Sequence, residues 1–242
     1  MRSQGTSWHS IALLIVLLTG CATGFSRKAL EEQVGVASPE FNESDIKTAY
    51  EKRPNLPKPF KLGVYFKTPS YARSAYDPSP AIARDWRWSE KDKAFLDGVA
   101  ADLKQRGLIA DVFPLVSSVV GSDDLKALRL VAAKHQADAI LIVSGAADVD
   151  RYANNWAITY LLLAPALFIP GSQADTLFLA SATMWDVKNE YLYMTAEAEG
   201  FAHDKYAAAF GRSNKELIEE AKLKSLASLR EQIIKQVAGR RL

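Results

Sequence analysis

The sequence Ala139-Ile140-Leu141-Ile142-Val143 has an apolar side chain at every position. A strand with one face in water alternates apolar and polar side chains, whereas a strand covered on both faces has no such alternation. The unbroken apolar run therefore predicts a strand in the middle of a sheet, with helices packed on both sides of that sheet.

The residues before this strand alternate between strand and helix patterns. Apolar side chains at every second position predict a strand over residues 60–66. A helix is expected after Ser89, which forms a capping-box pattern with Asp92, and a second strand is expected over 109–115. A second helix should begin near Asp124, because acidic side chains favour the positive end of the helix dipole. This alternation indicates helix crossovers between the strands of an α/β sheet.

The residues after the central strand follow a different order. Two long strands are expected over 176–187 and 190–201, joined by a turn at Lys188-Asn189. Ser213 and Glu216 form a second capping-box pattern that should begin a C-terminal helix. The predicted fold class is therefore α/β, a mixed sheet with the element order β-α-β-α-β-β-β-α.

The N-terminus has the pattern of an export signal. Arg2 supplies a positive charge, and residues 11–18 are apolar without a charged side chain. This run is shorter than the roughly 20 residues that a membrane-spanning helix needs. It ends in Leu18-Thr19-Gly20-Cys21, which resembles the lipobox of bacterial lipoproteins. The resemblance implies that residues 1–20 are a signal peptide and that Cys21 carries diacylglycerol and an N-acyl chain.

The mature N-terminus would then attach the protein to a membrane through covalent lipid. Two or more acyl chains anchor a protein stably without any spanning helix. The residue after Cys21 is Ala22 and not Asp. In a Gram-negative cell the sorting rule for lipoproteins would then place the protein on the periplasmic face of the outer membrane.

Residues 21–59 are expected to form a lipidated flexible tether, and residues 60–242 are expected to form the globular domain. Three prolines within residues 54–59 disfavour a helix and favour an extended chain. A brief helical turn fits residues 28–33, but nothing there requires a fold. An extended linker of this kind would hold the domain tens of ångströms from the lipid surface.

The composition argues against several classes of function. The whole chain has a formal net charge of +2, and removal of Arg2 with the signal leaves +1. A nearly neutral charge gives no support for nucleic-acid binding, which requires a basic face. Cys21 is the only cysteine, and the histidines after it, His135 and His203, lack the spacing of metal ligands. No metal and no cofactor are expected apart from the lipid.

Charged and aromatic residues beside the predicted sheet are candidates for a ligand or partner surface. Asp148, Asp150 and Arg151 follow the central strand, at the carboxyl end where α/β sheets build sites. The alternative for these three residues is a solvated turn with a local ion pair. Trp86 and Trp88 suit stacking against a glycan or a peptide, although paired tryptophans more often form a plug over the core.

The stretch Trp156–Gly171 has no charged side chain and contains two prolines. It is too short for a transmembrane helix and lacks the alternation of a membrane-inserted strand. Three interpretations remain open: a cover over the sheet, a surface for a partner or an oligomer, and a segment inserted into the bilayer. Its candidate contact residues are Trp156, Leu162 and Phe168.

Glu197 and Glu199 lie on one face of the last predicted strand, with side chains on the order of 7 Å apart. Paired carboxylates can divide acid and base chemistry between them. Alternating glutamates are also common on the solvated face of a strand, which is the simpler interpretation.

The same strand makes further predictions about its neighbours. Leu192 and Met194 are expected on the buried face and Tyr193 on the exposed face. His203 is expected in the loop after the strand, beside Asp204. A His–Asp pair could act as a base, although adjacent residues rarely orient each other in that way.

The element order with an N-terminal lipid anchor resembles a group of envelope lipoproteins that includes the curli-secretion lipoprotein and the activators of penicillin-binding proteins. The resemblance covers roughly residues 60–240 and implies a binding or assembly domain without catalysis. We therefore expect a lipid-anchored periplasmic binding or scaffolding lipoprotein, an accessory factor in envelope assembly or secretion. Its partners would be the membrane and either an envelope protein or further copies of the chain.

Two alternatives to this function stay open. The first is an envelope hydrolase or transferase that uses Asp148 and Asp150, or Glu197 and Glu199, as its carboxylates. The second is an oligomeric pore or secretion subunit that uses the apolar segment Trp156–Gly171.

Overall fold

A computed structural model describes residues 24–25, 27–34, 43–67, 86–153, 172–206 and 211–239. The strands in these ranges are β1 (Phe60–Phe66), β2 (Ile109–Leu115), β3 (Ala139–Ala153), β4 (Ser172–Asp186) and β5 (Leu192–Tyr206). The helices are α1 (Arg27–Val34), α2 (Glu43–Glu51), α3 (Lys93–Gln105), α4 (Leu125–Lys134) and α5 (Asn214–Gly239). A 3-10 turn at Glu90–Asp92 precedes α3. The element order predicted from β1 to α5 is confirmed.

The strands form one mixed sheet in the order β2-β1-β3-β4-β5. β1 is parallel to both β2 and β3, whereas β4 is antiparallel to β3 and β5 is antiparallel to β4. Parallel neighbours need long crossovers, which α3 and α4 supply, and antiparallel neighbours need only a turn. The predicted α/β class with a mixed sheet is therefore confirmed.

The central strand β3 is covered on both faces over the apolar run 139–143. Leu141 and Val143 pack in a cluster with α3 and α5, whereas Ile140 and Ile142 pack in a second cluster with α4. All four side chains are buried. Because full burial of an aliphatic side chain contributes about 1.5–3 kcal/mol, this short run is a major part of the core.

The β4–β5 hairpin departs from the predicted alternation near its turn. Met184 pairs with Met194 and Trp185 pairs with Leu192, which leaves Tyr193 as an extra residue in β5. Tyr193 is buried, whereas Leu192 is 38% exposed. The faces predicted for Leu192 and Tyr193 are therefore wrong, because a bulge interrupts the two-residue period of a strand.

The start of α3 also differs from the prediction. The Ser89 N–H donates to Asp92 Oδ2 at 2.5 Å, as in a capping box, but Ser89 Oγ donates to the same carboxylate at 3.1 Å. The hydroxyl therefore caps no backbone N–H of the helix, and α3 begins at Lys93, after the 3-10 turn. Asp92 is 1% exposed, so its carboxylate lies in the interior of the protein.

A buried ion pair joins Asp92 to α5. The Lys222 side chain is 0% exposed, and its ammonium donates to Asp92 Oδ2 at 2.9 Å and to Glu219 Oε1 at 2.8 Å. It also donates to the Arg87 carbonyl oxygen at 3.1 Å. Removing an ammonium from water costs several kcal/mol unless acceptors replace its hydration shell. These three acceptors make the burial of Lys222 possible.

Helix α5 begins with the predicted capping box and then crosses β5 closely. The Ser213 N–H donates to Glu216 Oε2 at 3.0 Å, and the Glu216 N–H donates to Ser213 Oγ at 3.3 Å. Further along, a β-carbon on Gly200 would lie 2.0 Å from the Ala221 carbonyl oxygen. Only a glycine permits this contact between the backbones of the strand and the helix.

Side chains of α5 also cover the outer edge of β5. Three of them donate hydrogen bonds of 2.7–2.8 Å to carbonyl oxygens of the strand: Gln236 to Thr195, Gln232 to Glu197 and Lys224 to Phe201. An uncovered edge strand offers its backbone groups to other chains. These contacts therefore occupy edge carbonyls that another strand could otherwise use.

Gly200→Ala should destabilise the domain by about 1–3 kcal/mol, because the added methyl group forces α5 away from β5. Gly63→Ala in β1 is the matched control, since a β-carbon there would lie 3.5 Å from Leu115 Cδ1, an ordinary contact. Urea unfolding followed by circular dichroism measures both variants. Equal stability of Gly200→Ala and the wild type would contradict the close crossing.

Lys222→Met should destabilise the domain by about 3–5 kcal/mol, because it leaves the Asp92 carboxylate buried without its cation. Adding Asp92→Asn should recover part of that loss, since a neutral amide is less costly to bury than a carboxylate. Guanidinium unfolding of the single and double variants provides the comparison. A double variant no more stable than Lys222→Met would show that charge pairing is not the cause.

Candidate functional site

The register of the antiparallel strands lines up three ionisable side chains. Asp150 of β3 lies opposite Asp175 of β4, which lies opposite His203 of β5. Since side chains alternate along each strand, all three lie on the sheet face against which α1 packs. We call these three residues, together with Tyr152, the polar row.

Asp175 is the centre of the polar row. Its Oδ1 is hydrogen-bonded to His203 Nδ1, and its Oδ2 accepts a hydrogen bond from the Tyr152 hydroxyl at 2.7 Å. The hydrogen bond to Asp175, with burial as the second cause, raises the pKa of Tyr152 to about 12. The phenol therefore stays protonated at neutral pH and acts as a donor. One carboxylate thus orients both an imidazole and a phenol.

His203 lies within β5 and not in a loop after it, so that prediction is wrong. Its neighbour Asp204 lies on the opposite face of the sheet, where its carboxylate accepts the Arg212 N–H at 2.7 Å. The partner of His203 is Asp175, which is 28 residues away in the sequence. In the sequence, the pairing of His203 with Asp175 could be inferred only from the turn at 187–189, because that turn sets which residues of β4 and β5 lie opposite each other.

The residues predicted to follow the central strand lie inside β3, which contradicts the predicted turn. Asp148 is 2% exposed, and its side chain lies on the same face as Asp150. Arg151 lies on the opposite face, where it donates to Asn214 Oδ1 at 2.7 Å and to the Tyr206 hydroxyl at 2.8 Å. The structure therefore separates Arg151 from the two aspartates and places it at the start of α5.

Trp86 belongs to the core cluster and is only 3% exposed, and the partly buried Trp88 packs against that cluster. The rings of Trp86 and Phe178 meet edge to face with their centroids 4.9 Å apart. Trp88 Nε1 donates to the Lys67 carbonyl oxygen at 2.9 Å. Of the two interpretations of this pair, the structure supports the plug over the core, because a buried Trp86 cannot stack on a ligand at the surface.

Several predicted site residues lie outside the described residues. They are Cys21 with the signal peptide before it, and Trp156, Leu162 and Phe168 of the apolar stretch. The lipid anchor and the three interpretations of Trp156–Gly171 therefore stay predictions.

Part of the segment expected to be a free tether is packed on the sheet. Leu30 and Val34, one helical turn apart on α1, are buried against Ala146, Leu177 and Leu179. Leu56 is also buried, in the main core cluster. The expectation of an unpacked tether over residues 21–59 is wrong for these positions, because two well-spaced apolar side chains find an apolar patch on the sheet.

Two of the candidate acids hold this packed segment in place. The Gly24 N–H donates to Asp150 Oδ2 at 2.9 Å. Arg27 forms an ion pair with Glu199, and its guanidinium lies 5.9 Å from the centre of the Phe201 ring. The acids that resembled catalytic candidates in the sequence therefore serve as contacts for the chain that follows Cys21.

A groove of about 430 Å³ lies between α1 and the strands β4 and β5. Glu197 and Glu199 lie on the same face of β5, the face toward α1, as the alternation predicts. Glu197 is exposed overall, but partial desolvation at the groove, and then the charges of Glu31 and Glu199, raise its pKa. Its lining combines apolar surface, from Val34 and two alanines, with the polar side chains of Glu31, Ser181, Thr183, Thr195 and Glu197.

Among the described residues, no cluster of three or more His, Cys, Asp or Glu side chains is placed to hold a metal ion. None of the helices placed by the structure has the length and apolar character needed to cross a membrane.

No family model matches this chain, and no curated protein matches it either. Some solved structures are similar. The PelC dodecamer from Paraburkholderia phytofirmans has 14% identity and a TM-score of 0.33, with 78% of this chain and 94% of that chain covered. A minor lipoprotein from Acinetobacter baumannii has 10% identity and a TM-score of 0.35, with coverage of 78% and 96%.

Lipoprotein GNA1162 from Neisseria meningitidis is a further similar structure. It has 15% identity and a TM-score of 0.33, with 75% of this chain and 100% of that chain covered. Similar solved structures thus include proteins described as bacterial lipoproteins. At these TM-scores the similarities assign no activity to this chain.

Glu197→Gln should stabilise the domain at neutral pH and have little effect in acidic buffer. The pKa of Glu197 is raised in the folded protein, so wild-type stability falls as the pH rises through that pKa. A glutamine does not titrate and shows no such loss. Thermal unfolding of the variant and the wild type across this pH range measures the difference.

Glu199→Gln is the matched control on the same strand face. It removes the partner of Arg27, and an exposed ion pair contributes about 0–1 kcal/mol to the free energy of unfolding. The variant should therefore have a slightly lower melting temperature at neutral pH. If Glu197→Gln changes the melting temperature equally at both pH values, the environment inferred for Glu197 is wrong.

Proposed function

We propose that this chain is a lipid-anchored lipoprotein of the bacterial envelope that binds or scaffolds other envelope components without catalysing a reaction. The lipobox pattern Leu18-Thr19-Gly20-Cys21 supports the anchor, with diacylglycerol and an N-acyl chain on Cys21. Ala22 supports delivery to the periplasmic face of the outer membrane in a Gram-negative cell.

The observation that carries this proposal is that the chain just after the anchor is built into the domain. Gly24 lies three residues after Cys21 and is hydrogen-bonded to Asp150. Helix α1 then buries Leu30 and Val34 on the sheet. A lipid on Cys21 would therefore connect to the folded domain through a very short segment and hold the domain at the membrane surface.

The contacts of the candidate acids support binding over catalysis. Asp150 accepts from Gly24, and Glu199 pairs with Arg27. An acid–base catalyst must reach the substrate with the group that transfers the proton. Two carboxylates that bond to the chain after Cys21 are better explained as structural contacts.

The mechanism that follows is tethered recognition. A lipid anchor confines the domain to a membrane surface and raises its effective concentration near partners on that surface. We propose an envelope protein or further copies of the chain as the partner. A pore or secretion subunit that uses Trp156–Gly171 is the alternative, and the size of the assembly in light scattering separates it from a monomeric binding domain.

Cys21→Ala should abolish labelling of the protein by a clickable palmitate analogue in cells, because the variant has no thiol to acylate. It should also leave the precursor uncleaved or release the protein from the membrane fraction. Thr23→Ala is the matched control, since it alters a nearby side chain and keeps the thiol. Acylation of the Cys21→Ala variant would refute the anchor.

A test of cellular function with point variants distinguishes a binding role from a catalytic role. If the carboxylates and the imidazole are structural or solvated, Glu197→Gln and His203→Gln should support the cellular function at normal protein levels. Loss of that function with an unchanged melting temperature would favour the enzyme alternative.

A further inference from the structure

The contact between Gly24 and Asp150 lies near one end of the sheet. β3 and β5 end there, and β4 begins there. Ala153 and Ser172, the last and first placed residues on either side of the stretch 154–171, are therefore at this end. We call it the anchor end. The turn at 187–189 lies at the opposite end of the hairpin, which we call the turn end.

Helix α1 runs from the anchor end toward the turn end. Arg27 at its start contacts Glu199, and Val34 at its end lines the groove together with Thr183 and Thr195. In β5, Glu199 is nearer the anchor end than Thr195 is. The chain before Arg27 therefore leads toward the anchor end.

The short connection to Cys21 limits where a lipid can be. Three Cα–Cα steps separate Cys21 from Gly24, and they span at most about 11 Å. β4 contains 15 residues, which extend over about 50 Å at the rise of an antiparallel strand. A lipid on Cys21 is thus close to one end of the sheet and remote from the other.

We infer that the domain stands on the membrane, with its anchor end against the lipid headgroups and its turn end directed away from them. This inference rests on the proposed lipid at Cys21, and it adds that the packed segment from Gly24 to Val34 fixes the orientation.

The orientation restricts which surface a partner can reach. Partners in the periplasm meet the turn end, some 50 Å above the lipid by the strand length. The polar row, by contrast, lies one to three residues from the strand ends, on the side of the headgroups. The polar row is therefore a membrane-facing feature, unsuited to a distant protein partner.

Full-length acylated protein, purified from cells and reconstituted into vesicles of phosphatidylethanolamine and phosphatidylglycerol, tests the orientation. Lys205→Cys at the anchor end and Lys188→Cys at the turn end each supply one thiol for a fluorescent donor, because lipid blocks the thiol of Cys21. Energy transfer to an acceptor-labelled lipid should be strong from position 205 and weak from position 188. Equal energy transfer from the two positions in acylated protein would overturn the proposed orientation but leave the lipid anchor intact.

A control insertion leaves the folded domain unchanged. About 12 Gly/Ser residues between Thr23 and Gly24 add a flexible span of roughly 20 Å, so transfer from the two positions should become similar. A difference that persists with the insertion would show that the segment from Gly24 to Val34 does not set the orientation. Failure of both labelled proteins to bind vesicles, with no acyl chain in their mass spectra, would overturn the anchor and the orientation together.

Discussion

The buried ammonium of Lys222 constrains how the C-terminal half of the fold assembles. An ammonium is tolerated in an apolar interior only where acceptors surround it. Its acceptors come from α5 itself and from the segment just before α3: Glu219, Asp92 and the Arg87 carbonyl oxygen. Helix α5 can satisfy them in one position along its axis and one rotation about it. The backbone contact at Gly200 and the packing of Trp88 beside the ammonium follow from that position.

Sequence patterns predicted the elements of this fold because those patterns arise from short-range physics. The apolar run over 139–143 and the capping box from Ser213 to Glu216 depend on residues within one turn or one strand. The polar row depends on strand register, which one bulge at Tyr193 is enough to alter locally. The pair of Lys222 and Asp92 joins residues 130 positions apart. No short pattern marks such a contact, so the sequence could not predict it.

The packing of α1 shows why the candidate site was harder to predict than the fold. An isolated helix of eight residues is unstable in water, so the sequence predicted only a brief helical turn over residues 28–33. Its order comes from the apolar patch around Leu177, which is built by strands that follow much later in the sequence. Asp150 and Glu199 gained their roles in the same way. A carboxylate that looks catalytic in a sequence becomes a structural contact once the fold brings a donor to it.

The hydrogen bonds from α5 to the edge of β5 join two elements whose rise per residue differs. Four helix residues advance about 6.0 Å and two strand residues about 6.8 Å, so side chains four apart on the helix can follow carbonyls two apart on the strand. Between Gln236 and Lys224 the mismatch accumulates to about 2 Å, and the long, flexible lysine stands at one end of the series. The edge is covered by α5, a helix that follows β5 in the chain. The carbonyl oxygens of β5 therefore stay open to other strands during folding until α5 has formed and docked.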